Sequence, residues 1–279
     1  MTAIVFLGGG RITTALVAGL RGAEANQRGR ERLVVHDRNP EKLRMLARRY
    51  GVRGEPSLRR AVERAGLLLV AVRPRDVLPL LAELGPLRPG VVCVCLAAGV
   101  TLGMLRRALG PGVALARAMP SPASRYGRGL TALAFGRGAA RSARRRVWKL
   151  FSGVGAAVEI AERELDAFTV AYSTSQGYHA LGARVRAARR LGLGERTAWL
   201  AAAHGLAEGV RAAAENPAAL DALLAEAATP AGIAAETLRV MRAGGYQRLV
   251  ERAYRAGVER ARQAGRTGRR AAQARDAAR

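Results

Sequence analysis

The stretch IVFLGGGRITTALVAGL (4–20) passes from four apolar residues through three consecutive glycines into a helical apolar pattern. No other feature constrains the fold as much. A buried strand that turns this tightly into a helix commits the chain to a crossover, after which the next strand lies parallel to the first. Glycine supplies the turn because a backbone without Cβ reaches conformations that other residues adopt only at a cost.

The first half of the chain repeats the same alternation. IVFLG (4–8), RLVVHD (32–37), GLLLVAV (66–72), GVVCVCLAAG (90–99) and VALARAMP (113–120) read as short strands buried on both faces. Between them ITTALVAGLRGAE, NPEKLRMLARRYG and RDVLPLLAEL carry helical spacing, and Asn39 before Pro40 marks a helix start. From about Glu159 onward the chain is alanine-rich and helical in period, broken at GLGE (192–195), ENP (215–217) and ATPAG (228–232). The expected fold class is α/β, with a Rossmann-type parallel-sheet domain over 1–158 and an all-helical domain over 159–265. Residues 266–279 carry charge without an apolar stripe and read as a basic disordered tail.

With a strand before and a helix after, Gly8, Gly10 and Thr13 occupy the three positions of the dinucleotide fingerprint. Thr13 puts a hydroxyl where Gly or Ala is usual. Gly8 permits the turn, Gly10 allows a pyrophosphate close to the backbone, and the amides around Arg11 and Ile12 face it at the helix start. The second strand ends at Asp37, the spacing at which an acid meets the adenosine ribose. Asp37 favours the free 2′-hydroxyl of NADH, whereas Arg38 beside it suits the 2′-phosphate of NADPH, so both cofactors stay open.

A formal net charge of +26 suggests an acidic partner, yet all but Lys42 and Lys149 of the 47 basic residues are arginines. Arginine accompanied by abundant alanine is what GC-rich coding imposes on a solvated surface. No aromatic stacking set accompanies the charge, and a nucleic-acid partner is not expected. Cys93 and Cys95 share one face of an apolar strand with no third ligand nearby, so they read as core thiols, with no metal site. The opening segment is too short to span a membrane and precedes no cleavage-like site, which points to a soluble cytoplasmic protein without a membrane partner.

FLGGGRI, AVRP (71–74), LAAGVTLGML (96–105), RAMP (117–120) and GRGLTAL (127–133) appear in the order and spacing of the pyrroline-5-carboxylate reductase family. The chain resembles that family into its helical half, through ATPAG (228–232) and LRVMRAGGYQRLVERAY (238–254). The resemblance implies an NAD(P)H-dependent imine reductase whose helical domain interlocks with a second copy in a homodimer. It also implies that Val72, Arg73, Pro74, Ala97, Ala98 and Gly99 line the nicotinamide side.

The chain departs from the family on the acceptor side. YSTSQGY (172–178) stands where the family carries a string like SGSGPAY, TPAGIA (229–234) replaces SPGGTT, and Ser121 replaces the Asn after Met-Pro. In the family the SPGGTT loop holds the substrate carboxylate. Thr229, Gly232 and the helix-start amides remain, while two hydroxyls become Ile233 and Ala234. Hydrogen bonds to a charged group contribute about 1.5–3 kcal/mol each, so their loss weakens carboxylate binding by roughly two to four powers of ten unless replaced. Ser121, Ser175 and Tyr178 join Thr229 and Gly232 as candidate substrate residues, and no catalytic side chain is assigned. Tyr172, Tyr178 and His179 are the candidate proton donors near the altered helix start, and each reads first as a packed helix residue with its polar tip satisfied.

The expected activity is reduction of pyrroline-5-carboxylate to proline, or of a related cyclic imine. The β-hydroxyacid dehydrogenases share the two-domain plan but resemble one another in a lysine on the long helix of the second domain, and no lysine follows Lys149. The alternative is a cofactor-binding regulatory protein of the same fold without catalysis.

Overall fold

The computed structural model describes residues 3–24, 32–215 and 220–276. The chain forms two compact units, Met1–Tyr172 with Ala256–Arg279, and Ser173–Arg255. In the first unit strands and helices alternate: β1 (Ala3–Leu7), α1 (Arg11–Glu24), β2 (Leu33–His36), α2 (Pro40–Tyr50), β3 (Arg53–Gly54), α3 (Leu58–Val62), β4 (Ala65–Val70), α4 (Pro74–Leu84), β5 (Val92–Cys95), α5 (Leu102–Leu109) and β6 (Ala114–Met119). A 3-10 turn (Pro122–Tyr126), β7 (Gly129–Phe135), α6 (Arg141–Ser152), β8 (Gly155–Glu159), a second 3-10 turn (Glu162–Glu164) and α7 (Leu165–Ala171) follow.

The eight strands form one sheet in the order β3-β2-β1-β4-β5-β6-β7-β8. Its first six strands have the dinucleotide-binding order, which reverses between β1 and β4 and opens a crevice beyond their carboxyl ends. The sheet is not wholly parallel. β7 runs antiparallel to β6, because the link between them holds one 3-10 turn and is too short for a helical crossover; β8 then pairs parallel to β7.

Both faces of the sheet are covered, as continuous apolar strands require. Val5, Leu7, Leu68, Val70, Cys93 and Cys95 pack on one side against Val77 and Leu81 of α4 and Leu105 of α5. Ile4, Phe6, Leu67, Leu69, Val92 and Val94 face Leu16 and Val17 of α1, Leu46 of α2, and Val147 and Phe151 of α6. Both cysteines are buried free thiols on one face; burial pushes Cys95 up to about 11 and Cys93 higher still. Asn39 caps α2, its side-chain oxygen accepting from the amides of Glu41 at 2.9 Å and Lys42 at 3.3 Å.

The second unit contains α8 (Thr174–Arg190), α9 (Glu195–Glu215), α10 (Leu220–Ala227) and α11 (Ile233–Ala243). Among its described residues only Ala198 and Ala202 are buried. Helix α12 (Tyr246–Asp276) begins in this unit and ends in the first. The stretch 266–276, read from sequence as tail, is therefore helical, in keeping with the high helix propensity of Ala and Arg; 277–279 lie outside the described residues.

Candidate functional site

The glycine turn sits at the sheet's switch point. Gly8 follows β1 at φ 106°, its amide donates to His36 O at 2.8 Å, and a Cβ there would lie 2.8 Å from Ala71 O. Only glycine fits this position. Thr13 is fully buried, and its hydroxyl donates to Gly8 O at 2.5 Å. The hydroxyl at the third fingerprint position thus locks helix to turn. Intrahelical bonding begins with Thr14 N to Gly10 O at 3.0 Å, so the amides of Arg11, Ile12 and Thr13 come before the first such bond, as helix starts demand.

Asp37 lies at the end of β2 and is bound into the same turn. One carboxylate oxygen accepts from Gly9 N at 2.8 Å and lies 3.5 Å from Lys42 Nζ, while the other accepts from Asn39 N at 2.8 Å. Burial, the largest single influence, works to raise its pKa. The bonds from Asn39 and Gly9 and the charge of Lys42 together outweigh it and hold the carboxyl below 3.8.

Gly8, Asp37, Arg38 and Val72 line one cleft of about 360 Å³, completed by His36, Arg75, Asp76, Pro79, Leu80 and Thr267. That size suits a small-ligand site. Arg38 also pairs with Glu83 at 3.3 Å. Arg73 is the N-cap of α4 with Pro74 in its first turn, and Ala97, Ala98 and Gly99 follow β5, so these residues stand at neighbouring strand ends and not in the wall of this cleft.

A dinucleotide fits the residues present. A Cβ placed on Gly10 would meet nothing within 4 Å, so the space the fingerprint reserves for a pyrophosphate is open in front of the turn. Helix α1 has no acidic residue in its first turn to repel an anion.

The candidate substrate residues are distributed between the units. Ser121, in the first unit, is buried; its hydroxyl accepts from Ala123 N at 3.2 Å and pairs with Tyr172 Oη, also at 3.2 Å. Tyr172 Oη in turn accepts from Leu130 N at 2.6 Å, so this phenol is engaged in tying α7 to β7. In the second unit, Ser175 lies in the first turn of α8 with its hydroxyl 2.7 Å from that of Ser173, and Tyr178 is exposed. Thr229 and Gly232 form the turn before α11, closed by Gly232 N donating to Thr229 O at 2.9 Å. Pro230 follows Thr229, and Ala231 next to it has φ 61°, the left-handed region. Proline second and a positive φ third describe a type II turn, whose third position favours glycine.

Sequence reasoning passed over Arg75, Asp76, Pro79, Leu80 and Thr267. The first four follow AVRP within seven residues, so continuing two turns into α4 would have found them. Thr267 has no local signal. Among the described residues no His, Cys, Asp and Glu group could hold a metal ion, and no helix is long and apolar enough to cross a membrane.

Residues 3–99 match the family model described as NADP oxidoreductase coenzyme F420-dependent, and 162–264 match that described as pyrroline-5-carboxylate reductase dimerisation. The chain is 32% identical to the pyrroline-5-carboxylate reductase of Mycobacterium tuberculosis, covering 94% of this chain and 97% of that one. It is 29% identical to the enzyme of that name from Corynebacterium melassecola, over 95% and 99% of the two chains. Among solved structures it is similar to a pyrroline-5-carboxylate reductase from Coxiella burnetii, with a TM-score of 0.81 and 25% identity over 94% of this chain and 98% of that one.

Proposed function

The chain belongs to the pyrroline-5-carboxylate reductase family, and from that premise we propose that it reduces a cyclic imine with NADH or NADPH, pyrroline-5-carboxylate to proline being the first substrate to test. The observation that carries the reading is the intact strand, turn and helix at the switch point, with Gly8 and Asp37 in the wall of one cleft and open space in front of Gly10. The bound reduced nicotinamide supplies the hydride. The turn from Gly8 to Thr13 holds the pyrophosphate, Asp37 and Arg38 address the adenosine ribose, and Val72, Arg73, Pro74, Ala97, Ala98 and Gly99 shape the nicotinamide side. A cyclic imine can arrive protonated from water, so orientation and exclusion of water suffice and no acid–base pair is required.

On the acceptor side Thr229 and the amides leading into α11 receive the substrate carboxylate, with Ser175, Tyr178 and Ser121 as further contacts. Replacement of the family's threonines by Ile233 and Ala234 shifts preference toward imines that depend less on a carboxylate. A second copy completes the helical unit, because Ile233 is 91% exposed, Leu191 83% and Tyr178 72%, while only Ala198 and Ala202 are buried among that unit's described residues. A folded monomer at low concentration in sedimentation would rule out the homodimer.

A panel of cyclic imines, with and without a carboxylate, assayed by loss of reduced-cofactor absorbance with each nucleotide, tests the activity. Turnover is expected. Cofactor binding with no turnover on any imine would replace this reading with the regulatory one.

A further inference from the structure

Helix α12 returns from the second unit to the first and there meets the loop after β5. The approach is backbone to backbone. A Cβ on Gly99 would run into Ala261 O, and one on Gly265 would run into Gly99 O, so neither position has room for a side chain. Gly99 also has φ 73°, which independently favours glycine. Two residues beyond this crossing, Thr267 stands in the wall of the cleft that contains Gly8, Asp37 and Val72.

We propose that the end of α12 is a built part of the dinucleotide site and that Thr267 contacts the bound cofactor at a ribose hydroxyl; this rests on the cofactor reading above. The chemistry of Thr267 selects the partner. Its hydroxyl donates to Gln263 O at 3.1 Å, so the proton is spent within the helix and only lone pairs face a ligand. Such a group accepts from a sugar hydroxyl and offers nothing to a phosphate. The Gly99–Gly265 crossing sets the helix close enough for the contact.

Nucleotide titration of the full-length protein tests the assignment, with thermal unfolding of every variant alongside. Thr267→Val keeps the shape and removes the acceptor, and should weaken NADH and NADPH binding about three- to tenfold with little change in melting temperature. Thr267→Trp, which fills the cleft from this wall, should weaken binding more than tenfold. Gly265→Leu should do the same by forcing α12 off Gly99. If the unaltered protein binds a nucleotide and both position-267 variants bind it equally well, α12 is no part of the site and the inference is overturned. If the unaltered protein binds neither nucleotide, the cofactor reading fails and this inference falls with it.

Discussion

The Asp37 carboxylate accepts the Gly9 amide at 2.8 Å, so the end of β2 clamps the glycine turn that follows β1. The residue the fingerprint assigns to ribose recognition therefore also shapes the glycine turn. Because its pKa is lowered in the fold, its stabilising contribution is complete above the unfolded value of 3.8 and is lost as pH falls through the lower, folded value. Urea-unfolding midpoints between about pH 2 and 6 should drop at the acid end, and Asp37→Asn should flatten that drop. An unchanged acid limb in the variant would show that the clamp contributes nothing.

Gly8 and Gly10 should fail in different ways. Gly8→Ala forces a side chain against Ala71 O at φ 106° and should destabilise the fold by about 2–3 kcal/mol. Gly10→Val meets open space, so its melting temperature should stay near that of the unaltered protein while nucleotide binding is lost. Normal binding by Gly10→Val would place the pyrophosphate elsewhere.

Ala231 carries a left-handed backbone that costs a non-glycine residue about 1–2 kcal/mol. Glycine relieves that strain but gives back about 0.4–1 kcal/mol through a freer unfolded chain. Ala231→Gly should therefore raise stability slightly, by about 0.5–1 kcal/mol, as read by denaturant midpoint. A loss of stability would mean that the turn is held by contacts to the Ala231 methyl.

Arg117 of β6 is 2% exposed, 3.4 Å from Glu162 and 3.6 Å from Asp166, while Glu162 also accepts from Leu102 N at 2.6 Å. Arg117→Ala leaves two carboxylates facing an emptied site and should cost about 3–5 kcal/mol, toward the lower end because Glu162 can rehydrate. Arg117→Met, which keeps the packing, should cost less. Equal losses in both would assign the stabilisation to charge alone.

Ile233→Thr with Ala234→Thr restores two hydroxyls at the start of α11. The double variant should lower the Michaelis constant for pyrroline-5-carboxylate before it changes turnover, since uniform binding appears there. On an imine without a carboxylate the same change should raise it. Identical behaviour on both substrates would remove this loop from the acceptor site.

Much of the cofactor half was legible in the sequence because its determinants are local. Gly8, Gly10 and Thr13 lie within one turn, and the alternation of apolar strands with helical spacing announces the sheet. The same local reading did not pick out β7 as a strand, and nothing in GLTALAF announces the antiparallel pairing that interrupts the expected parallel sheet, since its apolar character is the same whichever way it pairs. It also gave no hint that Tyr172 would spend its phenol on Ser121 and Leu130.

The sequence alone determined the fold class, the glycine turn, its acidic partner at the end of β2 and the altered acceptor loops, because helical and strand periods, glycine geometry and motif spacing act over a few residues to a few tens. That Gly265 rests on Gly99 and Thr267 stands in the same cleft as Gly8 emerges from the packed fold. Such contacts depend on where a helix lands after most of the chain has folded. No local pattern encodes that position.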